Sequence, residues 1–296
     1  ADRLAVKPVS RTRETLSALF ANRLAVAGII VLAVLVFVGV FGPQIAPYEI
    51  NEINIPDRLQ GPSGDHWFGT DELGRDVFTR VLVAARVSLQ VGFIAVGFAM
   101  LVGVPIGLLA GYYRSWVDAV LMRAMDVLFS FPAILLAIAI LAVLGPGIGN
   151  AMIAIGLVYT PIFARITRGS VLVVSEEVFV RAARSLGARD SRIIFRHILP
   201  NVMAPIIVQT TLSLAFAILS EAALSFLGLG VQPPNPAWGR MLSEGRNFLQ
   251  QAPWMGIFPG IAILLTVMAF NFLGDGLRDA LDPKQKSVIE SRGQST

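Results

Sequence analysis

The chain has 296 residues, 55% of them hydrophobic and 15% charged, with a formal net charge of +4. Soluble domains carry about a quarter of their residues as Asp, Glu, Lys and Arg, so this balance excludes one and points to an integral membrane protein. The absence of Cys excludes a disulfide framework and a thiolate metal site.

The first 23 residues form a basic tail. Within it, residues 11–23 place Leu16, Leu19 and Phe20 at helical spacing, the pattern of a short amphipathic helix lying on membrane lipid. Beyond it, Asp, Glu, Lys and Arg are missing from 24–48, 87–113, 127–164, 198–220 and 247–274. A hydrocarbon core needs about 20 residues of helix, so each stretch holds a span. The third holds two, separated by the turn-forming run from Gly145-Pro146-Gly147 to Asn150. The expected fold is all-α and polytopic, with six transmembrane helices at 24–42, 87–111, 120–144, 151–170, 204–226 and 254–274. The membrane domain then covers 24–276, and 277–296 is a polar tail. The first span lacks a cleavage site and is expected to remain as an anchor. Pro105, Pro132, Pro161, Pro205 and Pro259 are expected to kink the spans. Gly92, Gly97, Gly103, Gly107 and Gly111 would let the second span approach its neighbours closely.

Basic residues stay on the cytoplasmic side of a membrane. With the N-terminus inside, all of the 24 Lys and Arg except Arg58, Arg75, Arg80, Arg86, Arg240 and Arg246 fall on the inner side. Both termini are therefore expected in the cytoplasm. The basic excess follows from this topology, and no run of basic residues interleaved with aromatics calls for nucleic acid. The outer connection, 43–86, is long and acidic. In it Thr70, followed by Asp71 and Glu72, predicts an N-cap and first turn leading into the second span.

The most informative connection is the inner one, 171–203, whose polar core EEVFVRAARSLGARDSRIIFRHILPN (176–201) lies between two spans. Ser175, Glu176 and Glu177 predict a helix start, Gly187 a turn, Asp190 or Ser191 a second cap, and Pro200 the end of a second helix. The product is a helix-turn-helix elbow along the inner face. Ala182 and Ala183 leave room for another protein's groove. Arg181, Arg184, Arg192 and Arg196 offer planar donors to carboxylates or lipid phosphates.

The spacing of Ala182-Ala183, Gly187 and Leu199-Pro200 resembles the cytoplasmic EAA loop of ATP-binding cassette importer permeases: EAA, three residues, Gly, nine residues, I-x-L-P. Two positions depart from that pattern, with Arg181 where Glu is usual and His197 where Ile is usual. HWFGTDELGRDVFTRVLVAARVSL from His66, MDVLFSFPAILLAIAI (125–140), ILSEAALSFLGLGVQPPNPAWGRMLSEGR (218–246) and FNFLGDGLRDALDPK (270–284) are similar to the C-type permease subunits of dipeptide and oligopeptide importers. The resemblance implies a type I importer permease that works by alternating access. Its cargo would be short peptides, or glutathione or nickel chelates carried by the same architecture. It implies that Glu176, Glu177, Arg181, Ala182, Ala183, Arg184, Gly187, Ala188, Arg192, Arg196, Leu199 and Pro200 meet an ATPase. It also implies a second related permease as heterodimer partner, two cytoplasmic ATPase subunits holding ATP and magnesium, and an extracytoplasmic substrate-binding protein. The chain itself is expected to bind no cofactor and to catalyse nothing. A phosphate-binding P-loop needs Lys after a Gly-rich turn, and Lys occurs only at 7, 284 and 286.

Charge close to the membrane interior marks candidates for the translocation path or the interface between permeases. Glu221 lies near the outer end of the fifth span and Asn271 lies in the last. Arg123 and Asp126, three apart near the inner start of the third span, are expected to pair on one helix face. An intramembrane enzyme is not indicated, since His66 and His197 fall on opposite sides and no HExxH is present. A gradient-driven secondary transporter or channel would place ionisable groups or broken helices near the midplane, where this chain has almost no charge.

Overall fold

The computed structural model describes residues 11–281, with side chains from residue 15 onward. The outermost parts of both expected tails lie outside the described residues. The elements, in chain order, are α1 (Arg11–Ala21), α2 (Arg23–Ile45), α3 (Val77–Tyr113), α4 (Ser115–Phe129), α5 (Ala133–Leu144), α6 (Ile148–Val174), α7 (Val178–Ser185), α8 (Asp190–Phe226), α9 (Trp238–Gly245) and α10 (Trp254–Leu281). Asn22 separates the first two: its side-chain oxygen accepts from the Leu24 and Ala25 amides at 3.0 and 3.2 Å and caps α2. Leu19 of α1 packs with Ala25 and Ala280, while Leu16 and Phe20 stay exposed.

Five helices are long and apolar enough to cross a membrane: α2, α3, α6, α8 and α10. The straight span expected at 120–144 is instead a broken pair, α4 and α5, bent by 90°. Counted as one span, it brings the total to six. Residues 130–132 make the break. The Ser130 amide closes α4 on the Asp126 and Val127 carbonyls, and the ring of Pro132, at the N-cap of α5, disfavours a helical Phe131. Pro132 therefore starts a helix, whereas Pro105, Pro161, Pro205 and Pro259 lie inside theirs.

At 37 residues, α3 is about 55 Å long, well beyond the roughly 30 Å of a hydrocarbon core. It does not start at Thr70. Asp76 is the N-cap, its carboxylate accepting from the Thr79 amide at 2.7 Å. Thr70 is fully buried and stitches the outer connection instead. Its hydroxyl donates to the Asp57 carbonyl and accepts from the Gln60 amide. Asp71 folds a tight turn of its own, accepting from the Leu73 and Arg75 amides.

The core is a seam between α3 and α6. A Cβ on Gly103 would stand 2.6 Å from the Thr160 carbonyl, and one on Gly111 2.7 Å from Val171; Gly107 faces the Ala164 carbonyl still more closely. These three positions permit backbone-to-backbone packing. Gly92 makes room for Ile218 of α8, whereas Gly97 has open space beside it and serves no close approach.

At the outer end the connection to α3 meets α9, which folds back on α8 so that Gly239 lies against the Ala222 backbone. Trp238 donates from its indole to the Val81 carbonyl at 3.0 Å, and the Phe68 ring stacks on Phe258 at 3.8 Å. Between them sits a cluster of opposite charges. Arg75 binds Asp71 at 2.6 Å, and Arg80, only 2% exposed, binds Glu244 at 3.1 Å. Arg240 reaches the same Glu244 at 3.0 Å. Each buried charge here has an opposite partner, which its burial requires.

Candidate functional site

At the inner end, α6 stops at Val174 and Ser175 is its C-cap. This corrects the expected helix start at Ser175. Its amide already serves the last α6 carbonyls, and its buried hydroxyl has no hydrogen-bond partner. The first elbow helix, α7, begins after Glu177 and carries Val180, fully buried, as its anchor to the core.

The turn after α7 explains three of the expected residues together. Gly187 has φ +76°, its amide donates to the Arg184 carbonyl, and the Ala188 amide donates to the Ala183 carbonyl at 3.1 Å. That pair of bonds is a Schellman cap, which needs a left-handed residue at the Gly187 position and an apolar contact across the turn. Ala183 and Ala188 supply the contact, both half-buried against the core. Ala182, by contrast, faces outward.

The second elbow helix does not end at Pro200. The chain runs unbroken from Asp190 to Phe226, with Ile193–Ile198 wound as a π-helix just before the proline. A proline has no N–H to give and its ring crowds the carbonyl four residues back; the wider π turn absorbs both. Ile193, Ile194 and Ile198 are buried, Leu199 is half-buried and Pro200 is exposed.

Two contacts tie the elbow to the inner end of α3. The Tyr112 hydroxyl donates to Asp190 at 2.7 Å, and Arg184 lies over the Tyr112 ring at 5.6 Å. Arg114, held at φ +52° in the tight reversal between α3 and α4, pairs with Glu176. That guanidinium holds the Glu176 carboxyl below the usual carboxylate range. Glu177, Arg181, Arg192 and Arg196 are exposed and make no ion pair among the described residues. The outward surface is also apolar: Val178 is 71% exposed, Phe195 64% and Leu186 88%, with Phe179 beside them. Sequence reasoning passed over these four because it followed the arginines and alanines. The available signal was that apolar residues recur on both faces of an eight-residue helix that can bury only one.

The charges nearer the membrane interior pair differently from expectation. Asp126 binds Arg165 of α6 at 2.7 Å, so Arg123 is not its partner and stands exposed. Asp118 and Arg168 form a two-pronged pair at 2.5 Å. The residues missed here, Arg165 and Arg168, lie within two turns of one another on α6, where a helix three to four residues apart presents one face. Glu221 is 1% exposed and sits between α3 and α8, accepting from Ser88 at 3.2 Å and Ser225 at 2.7 Å. Asn271 is half-buried in α10. The structure does not bring Glu221, Asn271 and the Asp126 pair together.

An apolar bundle with an exposed, clamped elbow at its inner end matches a known family description. Residues 103–287, which include the whole elbow, match the model for the binding-protein-dependent transport system inner membrane component. The chain belongs to this family. The permease also matches, over residues 10–62, the N-terminal transmembrane domain of oligopeptide transport permease C. It is 53% identical over 94% of its length to the dipeptide transport system permease protein DppC of Alkalihalophilus pseudofirmus, covering 92% of that protein. It is 48% identical over 90% of its length to the glutathione transport system permease protein GsiD of Pectobacterium atrosepticum, covering 89% of that protein. The fold resembles a chain of the MetNI methionine ABC transporter in inward-facing conformations, with a TM-score of 0.57 and 18% identity over 69% of the permease and 97% of that chain. The permease is thus an all-α, multi-pass inner-membrane component of an importer.

Proposed function

We propose that this permease carries short peptides inward across the cytoplasmic membrane, as one half of a heterodimeric pair with both termini in the cytoplasm. Two partner subunits hold ATP and magnesium and drive it through the 176–200 elbow, and an extracytoplasmic binding protein delivers the cargo. The relatives named for dipeptides and for glutathione, itself a short peptide, support the cargo class.

The observation that carries the reading is the elbow. A water-facing surface bearing Val178, Phe179, Leu186 and Phe195 between free arginines is suited to burial in a partner's groove. Glu176, Glu177, Arg181, Ala182, Arg184, Arg192 and Arg196 frame that contact, while Ala183, Gly187, Ala188, Leu199 and Pro200 hold its shape. Closure of the ATPases around the elbow would push on Tyr112 and Arg114, and so on α3, which runs without a break to the outer ion cluster.

Purification of the tagged permease in mild detergent, with mass spectrometry of what accompanies it, tests the assembly. Recovery of a second permease and P-loop ATPases is the expected result. A lone oligomer that transports in liposomes without ATP would overturn the reading.

A further inference from the structure

At the inner ends of α8 and α10 lies an open cleft of about 630 Å³ that none of the contacts described so far uses. It falls within the range of small-molecule sites, about 300–1,000 Å³. Its lining is amphoteric. Asp275 and Arg278 of α10 face it one helical turn apart, and neither is in an ion pair among the described residues. Across from them, α8 presents Asn201, Pro205 and Gln209. Pro205 has no N–H to offer the Asn201 carbonyl, which leaves a backbone acceptor at the cleft wall. Gln209 spends one N–H on Ser213 at 3.1 Å and keeps its carbonyl oxygen available. Val208 supplies part of the apolar wall. The large apolar residues that α8 exposes nearby, Met203 and Ile207, point to its other side, so the polar stripe is confined to the cleft.

A bilayer-embedded helix carries such a stripe where water or cargo passes. We infer that this cleft is an exit site that holds a short zwitterionic peptide before its release. Its ammonium end meets Asp275 and the freed Asn201 carbonyl, and its carboxylate meets the Arg278 guanidinium, which suits that group in shape and charge. Gln209 faces the backbone amides of the cargo. The inference rests on the peptide-importer reading and adds to it the place where the chain ends of the cargo are recognised.

The chain lacks Cys, so Val208→Cys creates a single thiol in this subunit. In the assembled transporter, built with partners free of accessible thiols and placed in vesicles, maleimide labelling of that thiol would be timed with and without tri-alanine. Slowing of fivefold or more by tri-alanine, and little by its N-acetylated, C-amidated form, is the expected result. Asp275→Asn or Arg278→Gln, added to the same background, should raise the half-protecting concentration about tenfold. Equal protection by the capped peptide, or protection that follows phosphatidylethanolamine content with no peptide added, would overturn the exit site. The same vesicles report ATP-driven tri-alanine uptake. Uptake without any protection removes the exit site and leaves the peptide-importer reading standing, whereas absence of ATP-driven uptake of any short peptide removes both.

Discussion

Tyr112 and Asp190, 78 positions apart, meet across 2.7 Å where the inner end of α3 touches the start of α8. Together with Arg114 and Glu176, this contact makes the elbow and the longest helix move as one piece. A hydrogen bond of this kind contributes about 1 kcal/mol, or roughly fivefold in a two-state equilibrium. Tyr112→Phe and Asp190→Asn should leave ATP hydrolysis by the assembled transporter intact while raising the ATP consumed per peptide imported severalfold. An unchanged ratio in both variants would show that force does not pass through this contact.

The Schellman turn sets a second expectation. A Cβ at Gly187 meets nothing within 4 Å, so the position is demanding only in its backbone. Gly187→Asn, which tolerates a left-handed conformation, should retain most uptake. Gly187→Val should lose it, because β-branched residues resist positive φ. Uptake assays on the pair separate conformational demand from bulk: equal loss in both variants would point to steric exclusion by the docked partner.

Packing between α3 and α6 leaves no tolerance at Gly107, which faces the Ala164 carbonyl and Thr167. Gly107→Val must separate two backbones, at a cost of several kcal/mol on the scale of overpacked cores. The variant should fail to accumulate in the membrane, as read by immunoblot of membrane fractions. Gly97→Val, at an open position on the same helix, should accumulate normally.

Glu221 offers a test of a buried carboxylate held by neutral donors. Glu221→Gln keeps acceptors for Ser88 and Ser225 and should change thermal stability little. Glu221→Ala strands two hydroxyls and leaves a void, a loss of about 2–3 kcal/mol. Thermal unfolding of the detergent-purified permease reads the difference, and equal midpoints for both variants would rule out this account.

In the outer connection, burial pushes the Glu72 carboxyl up, and one of its oxygens is buried without a partner. A carboxyl whose folded pKa is raised binds its proton more tightly in the native state, so stability falls as pH rises from the unfolded value, about 4.3, through the folded one. Glu72→Gln should therefore stabilise the protein at pH 7 to 8. That gain should shrink as pH approaches 4. A gain independent of pH would mean that the charge is not what costs stability.

Much of this architecture was legible in the charge-free stretches, because a bilayer admits only helices across its core. Helix ends were harder to place. Thr70 and Ser175 are good capping residue types, but Asp76 and Glu177 hold the actual N-cap positions, since tertiary contacts engaged the first two elsewhere. Pro200 reads as a helix end in one dimension, and only the π turn shows how the chain continues through it. The elbow's location and its glycine turn were readable from Gly187 and the alanines. Its clamp was not, because Tyr112 and Arg114 are remote in sequence from their partners. The same holds for Asp126, whose partner at Arg165 lies on another helix although Arg123 is one turn away.

The apolar tips of the elbow have a cellular consequence. Leu186 and Val178 project into water at 88% and 71% exposure, a feature that quality-control chaperones and proteases recognise in any unassembled protein. A copy that reaches the bilayer before its ATPases do would carry the mark of a misfolded chain until they arrive. Its lifetime would then be set by assembly, and the subunits of the importer would accumulate in matched numbers without any control at the level of synthesis.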